Sequence, residues 1–331
     1  MTVIVDWHCH VVPAEMTTTA VPERWRPRLR RGDDGRTEVG LRGAVIRSIV
    51  GEFTDPAVML EQAGRQGVDH LVLSPWISLV PVDAELGEAG AVCAIQNEAL
   101  AGLAAAHPGR ISALAAVPLQ DPDAAASTLR AAMAASGVLG AEIPASVGGT
   151  YLGDPRFEPF WAAAADAGAL IFVHPTTTGF GLDALRPYYL WNSVGNPLET
   201  AVTAAHLAFA GVLDRHPGLA ILLAHGGGAL PAVRGRLRRA FAVRPEARSA
   251  SPAGPDEILR RFYYDSLTHD RALLAELVEF AGPAQVLLGS DRPFEMGTGH
   301  PVDEIRALGN PEHQDLILSG NASRLLGSGA S

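Results

Sequence analysis

A chain of 331 residues, 47% hydrophobic and 19% charged, can bury a large core and does not read as disordered. Its formal charge of −10 and pI near 5.5 argue against a nucleic-acid backbone or an anionic membrane surface as partner. All 26 formal positive charges are Arg, which excludes a Lys nucleophile, a Lys Schiff base and a carboxylated-Lys metal bridge. The amino terminus, MTVIVDWHCH, has no secretory signal pattern and no later run approaches about 18 apolar residues, so a cytoplasmic location is expected. Cys9 and Cys93 are too few for a disulfide framework and are expected to be free thiols.

Short β-branched runs alternate with Ala-rich helical stretches along the chain. The first run, 3–9, is followed by an excursion over 23–53 whose DDG turn lies between RPRLRR and TEVGLRGAVIRSIV; this predicts a small antiparallel β insertion. Further strands are expected at 68–74, 111–117, 138–143, 169–173, 219–224, 261–266 and 285–289. Helices are expected at 56–66, 87–107, 122–136, 155–167, 197–215, 228–241 and 271–280, with more helix over 301–326. His107 and His216 sit in AAHPGRI and DRHPGLA, where a His near a helix carboxyl end followed by Pro reads as structural. Eight strands joined by helical crossovers, with no Ser- or Pro-rich linker, predict one α/β unit over 1–331, a (β/α)8 TIM barrel with a small β insertion after its first strand.

The chemistry-bearing residues gather at predicted strand ends. Asp6, His8 and His10 alternate with Val5, Trp7 and Cys9, so an ideal strand puts the three polar side chains on one face and leaves the apolar set for helices. ALIFVHP adds His174, LAILLAHGGG adds His225 and QVLLGSD adds Asp291. Three neutral imidazoles and a carboxylate suit zinc or another borderline divalent ion, with manganese as the second candidate. Five candidates exceed what a catalytic mononuclear site needs, and His225, followed by three Gly that let substrate approach the backbone, is the choice for proton transfer. The alternative, that His225 ligates and another residue is the base, stays open. His269 and Asp270 read as loop hydrogen-bonding residues.

These strand-end motifs, together with YYLWNSVGNPLET, GVLDRHPGLAILLAHGGGALPAVRGR, FYYDSLTHD, LLGSDRPFE and GNASRLLG, resemble the amidohydrolase superfamily, and best its subgroup typified by 2-amino-3-carboxymuconate-6-semialdehyde decarboxylase. DWHCH and EFTDPAVMLEQAGRQGVD extend the resemblance to the amino-terminal part. The resemblance implies one metal ion on His8, His10, His174 and Asp291, with His225 and Asp291 in the catalytic apparatus. It also implies a carboxylate-binding Arg in the insertion, for which Arg47 is the nearest counterpart and Arg42 the alternative because of two extra residues before the next DP. Arg236 corresponds to an Arg that reaches a neighbouring subunit's site in relatives, which implies a homodimer, whereas Arg234, Arg238 and Arg239 read as a solvated helix face. Trp191 is expected against substrate, a partner chain or the core. Arg292 replaces the family's aromatic residue after the metal Asp and either forms a structural salt bridge or reads a second anionic group on substrate. Non-oxidative decarboxylation of a small unsaturated or aromatic carboxylic acid is the expected function, with hydrolysis of an amide, ester or lactone as the alternative.

Overall fold

The computed structural model describes residues 3–31, 37–42, 44–47, 51–176 and 181–326; the side chains of 37, 44–47, 51 and 52 lie outside this description. Eight parallel strands stand in sequence order: β1 (Val5–Val11), β2 (His70–Pro75), β3 (Ile111–Ala116), β4 (Val138–Pro144), β5 (Leu170–His174), β6 (Ala220–Leu223), β7 (Tyr263–Asp265) and β8 (Val286–Leu287). The ring closes through Trp7 N–H to Leu288 O, Asp291 N–H to His8 O and His10 N–H to Arg292 O, each 2.8 Å. This is a (β/α)8 barrel, and each expected strand is present within a few residues of its expected bounds.

Local chemistry sets the helix starts. Asp55, Asp121 and Asp154 each precede a Pro and accept a 2.9 Å bond from the N–H of Ala57, Ala124 and Arg156, an Asp cap followed by a residue whose missing N–H costs nothing. The helix expected over 197–215 is broken: Asn196–Phe209 ends, Gly211 turns at φ 68°, and Val212–Arg215 resumes. The insertion is a three-stranded antiparallel sheet, Arg28–Arg31, Thr37–Leu41 and Ala44–Arg47. His216 Nε2 donates to Glu158 Oε1 at 2.8 Å, and both Cys are buried free thiols.

One helix corrects the reading of apolar runs. Leu86–Ala106 is long and apolar enough to cross a membrane by length and composition. Here it lies on the barrel, where Asn97 bonds both the N–H and the C=O of Ala116 and the buried Gln96 donates to Leu79 O.

A second correction concerns β1. Against β2, Asp6 pairs with Leu71 but Cys9 with Leu73, so three residues are spanned where the partner uses two. This bulge resets the alternation. Val5 and Trp7 join the barrel-interior cluster with Val72, Leu114 and Phe172, while Cys9 and Val11 pack in the layer between sheet and helices with Leu73 and Ile111. Asp6 therefore does not share a face with His8 and His10. It bonds Ser290 (N–H 3.0 Å, Oγ 2.5 Å) and the Arg292 guanidinium instead.

Candidate active site

The carboxyl ends of four strands bring His8, His10, His174, His225 and Asp291 together. His8 Nε2 lies 3.0 Å from His10 Nε2 and 3.2 Å from Asp291 Oδ1; His10 Nε2 is also 3.2 Å from Asp291 Oδ1, and His225 Nε2 is 3.6 Å from Asp291 Oδ2. The His174 ring centroid is 5.0 Å from His10 and 5.3 Å from His225. All five expected residues thus meet at one point.

Each of three imidazoles is fixed from behind. His8 Nδ1 donates to Asp265 Oδ2 (2.6 Å), His10 Nδ1 to Pro75 O (3.0 Å) and His174 Nδ1 to Pro175 O (2.9 Å). Carbonyls only accept, so the proton of His10 and His174 is on Nδ1 and the Nε2 lone pair points inward, the arrangement that metal-ligating His adopts. Burial disfavours a charge on His8, yet Asp291 and Asp265 raise its pKa to about 10. Burial and the neighbouring imidazoles of His10 and His225 hold His174 well below the ordinary imidazole value. Burial favours a neutral Asp291, but His8, His10 and His225 hold it well below the usual carboxylate range.

This donor set fits a divalent cation. Among the described residues His174 Nε2 and Asp291 Oδ1 are buried without a hydrogen-bond partner, and the two carboxylates around His8 favour positive charge at the centre. One ligand atom each of His8, His174, His225 and Asp291 lies within 4.8 Å of the others. Geometry therefore makes His225 eligible as a ligand too, but exposure separates it: its side chain is 18% exposed, whereas His8 and His10 are fully buried.

His225 and Asp291 open onto a cavity of about 330 Å3 whose wall also includes Asn192, Asn196, His269 and Met296. His225, Asp291 and His269 have φ of 57°, 56° and 53°, a left-handed backbone that non-Gly residues hold only where the surroundings enforce it. For His225 the enforcement is Asp265, whose two oxygens accept the N–H groups of His225 and Gly226 at 2.8 Å each. The glycines after His225 serve this turn as much as any substrate: a Cβ on Gly228 would stand 2.2 Å from Pro197 O. Asp265 was thus missed by sequence reasoning, although the short FYYDS strand marks it as a charged residue at a strand end. Glu142, on β4, was missed as well: it is fully buried, and burial pushes its carboxyl well above the usual carboxylate range.

The substrate-binding candidates fare differently. Arg292 is 4% exposed, its Nε 3.3 Å from Asp6 Oδ2 and its Nη2 bonded to Gln66, so of its two expected roles it takes the structural salt bridge, and the expectation that it binds substrate is corrected. Arg42 stacks on Trp25 at 3.4 Å and pairs with Asp83 at 3.0 Å. The backbone of Arg47 pairs with Glu38 in the insertion sheet, but its side chain lies outside the described residues. Trp191 is half-buried against Tyr189 at 4.8 Å and is not among the described residues of the cavity wall. Arg236 is exposed on the helix Leu230–Val243; Arg234 beside it stacks on Phe280 at 4.0 Å and Arg238 pairs with Asp256 at 2.9 Å. His269 lines the cavity rim, whereas Asp270 caps the helix Arg271–Ala281 as a loop residue should.

A parallel barrel carrying His-x-His on its first strand, His at the end of its fifth, His just after its sixth and Asp after its eighth defines a metal-dependent amidohydrolase fold. Residues 5–328 match the amidohydrolase family model, and the chain belongs to that family. Over 86% of its length it is 32% identical to a 2-amino-3-carboxymuconate-6-semialdehyde decarboxylase of Dictyostelium discoideum, 80% of which is covered. A gamma-resorcylate decarboxylase of Rhodococcus jostii is 32% identical over 72% of this chain and 77% of its own. A dihydroxybenzoic acid decarboxylase from Polaromonas, solved with manganese and an inhibitor, superposes with a TM-score of 0.79 at 23% identity, covering 98% of this chain and 97% of that one. Within the family this chain is an enzyme of the decarboxylase subgroup, a carboxy-lyase.

Proposed function

We propose that the enzyme removes CO2 without oxidation from a small aromatic or unsaturated carboxylic acid, with one divalent metal ion on His8, His10, His174 and Asp291. The observation that carries this is the division of labour in the cluster: three imidazoles fixed from behind with Nε2 inward, and His225 alone among the four His partly exposed to the cavity. A divalent ion held there supplies positive charge that orients substrate oxygens and stabilises negative charge developing on them.

The reaction breaks the bond between the carboxylate carbon and the substrate carbon. The electron pair stays on the substrate carbon, a proton replaces the departing CO2, and no oxidant is needed. His225, on the cavity wall beside the Asp291 carboxylate, holds that proton and delivers it. Arg47 is assigned to the substrate carboxylate, for which a guanidinium offers a planar pair of donors; the ion pair and ring stacking of Arg42 support giving it the structural role. Zinc suits the three imidazoles, with manganese the next candidate. A homodimer in which each copy lends the exposed Arg236 to its neighbour completes the reading, supported by the two-fold symmetry of most small oligomers.

The test is His225→Ala beside Asp291→Ala. His225→Ala should keep its metal on elemental analysis and lose turnover by about a hundredfold or more, whereas Asp291→Ala should lose the metal. Loss of metal from His225→Ala would make His225 a ligand and overturn the assignment.

A further inference from the structure

Within the barrel, β4 reads VLGAEIP, and its single charged residue faces inward. Ala141 and Ile143 pack in the layer under the helices, so Glu142 between them points to the interior, in register with Ala116 on β3 and Phe172 on β5. Phe172 in turn meets the His8 ring at 4.8 Å. Glu142 is fully buried, and among the described residues neither carboxylate oxygen has a well-formed hydrogen bond; the nearby Ser74 hydroxyl donates to Cys9 O at 3.0 Å instead. The atom that approaches it as a cation partner, His10 Nδ1, is 3.7 Å away and already donates to Pro75 O at 3.0 Å. A buried carboxylate so poorly supplied with donors is strongly unfavourable unless a cation or a proton compensates it.

A compensating cation has a place. One ligand atom each of His10, Glu142 and His174 lies within 4.8 Å of the others, and His174 belongs as well to the group formed with His8, His225 and Asp291. One imidazole nitrogen serves one ion, and among the described residues His174 Nε2 has no hydrogen-bond partner. The two groups are therefore halves of a single basin and not two independent centres.

We infer that Glu142 is a further protein ligand of the metal ion, bringing a second carboxylate to the three imidazoles and Asp291. The inference rests on the metal centre proposed above. Its chemical consequence is selectivity. Four-coordinate N-rich sites favour zinc, while added carboxylate oxygen and a higher coordination number favour harder ions such as manganese(II). Glu142 thus shifts the balance of this site toward manganese.

The experiment strips the full-length protein of metal and titrates it with Mn2+ or Zn2+ against a chelating indicator, comparing wild type, Glu142→Gln and Asp291→Asn. Gln preserves shape and removes the charge. Glu142→Gln should weaken Mn2+ binding about tenfold or more, weaken Zn2+ binding less, and alter the electron paramagnetic resonance spectrum of bound Mn2+. The metal-free Tm should be unchanged or higher in Glu142→Gln, since an uncompensated buried carboxylate is gone, while the rise in Tm on adding Mn2+ should shrink; this separates ligation from misfolding. Equal affinities and an unchanged spectrum, with Asp291→Asn still losing metal, would overturn the role of Glu142 and leave the metal centre standing. A wild-type protein that binds neither ion would overturn both.

Discussion

Asp265 accepts a 2.6 Å hydrogen bond from His8 Nδ1, and through that one contact the seventh strand sets the tautomer of a proposed metal ligand on the first. Gly289 makes the approach possible, because a Cβ there would come within 2.8 Å of Asp265 Cβ and 2.9 Å of His8 Cβ. The same carboxylate holds the turn that presents His225.

Asp265→Asn should therefore affect metal and proton chemistry together. An amide can turn its NH2 toward His8, which favours the tautomer with the proton on Nε2 and takes the lone pair from the metal centre. Metal affinity measured by chelator competition should fall about ten- to a hundredfold, and turnover at saturating metal should stay depressed because the His225 turn has lost its acceptor. Unchanged affinity would show that Asp265 only fills space.

Arg292 should matter for stability and not for substrate selection. Arg292→Met leaves Asp6 buried and uncompensated beside Ser290, and breaking such a pair costs about 3 kcal/mol or more. Denaturant unfolding should report that loss. The ratio of activities on mono- and dicarboxylic acids should be unchanged in the folded protein, and a selective loss of dicarboxylates would return Arg292 to the substrate site.

His70 supplies a pH signature away from the metal centre. It is buried, bonded to Ser112 Oγ at 3.0 Å, and burial lowers its pKa. Its unfolded value is about 6.5. Below that pH the unfolded chain takes up a proton that the native imidazole refuses, so stability is present above about 6.5 and is lost as pH falls toward the lowered folded value. Wild type should lose more Tm than His70→Gln between about pH 8 and 5.5; parallel curves would rule His70 out.

The barrel was legible because its strands are continuous apolar runs separated by Ala-rich helices with Asp-Pro starts, signals that are local in sequence. The five cluster residues were legible for the same reason: each follows an apolar run and precedes a loop. The bulge that turns Asp6 away from His8 and His10 was not, since strict alternation is the only expectation a strand sequence offers, and a bulge arises from pairing with β2. Arg292 could be seen as unusual, but its two candidate roles part only when Asp6 and Gln66 are brought beside it from the first strand and the first barrel helix. Asp265 and Glu142 act through distance to other strands, and a lone acidic residue in an apolar strand carries no partner in its own sequence. The GGG run was read as room for substrate, whereas close approach of Pro197 and left-handed turns account for it first.

Decarboxylation by a cluster in which His225 handles the proton is open to one direct measurement. Small hydroxybenzoic, naphthoic and dienoic acids should be incubated with metal-loaded enzyme in D2O, with CO2 and product deuterium measured together, beside a panel of amides, esters and lactones. One CO2 per product molecule and one deuterium at the carbon that carried the carboxylate are expected, both lost in His225→Ala with its metal still bound. Turnover confined to the amides, esters and lactones, with no CO2 from any acid, would contradict it.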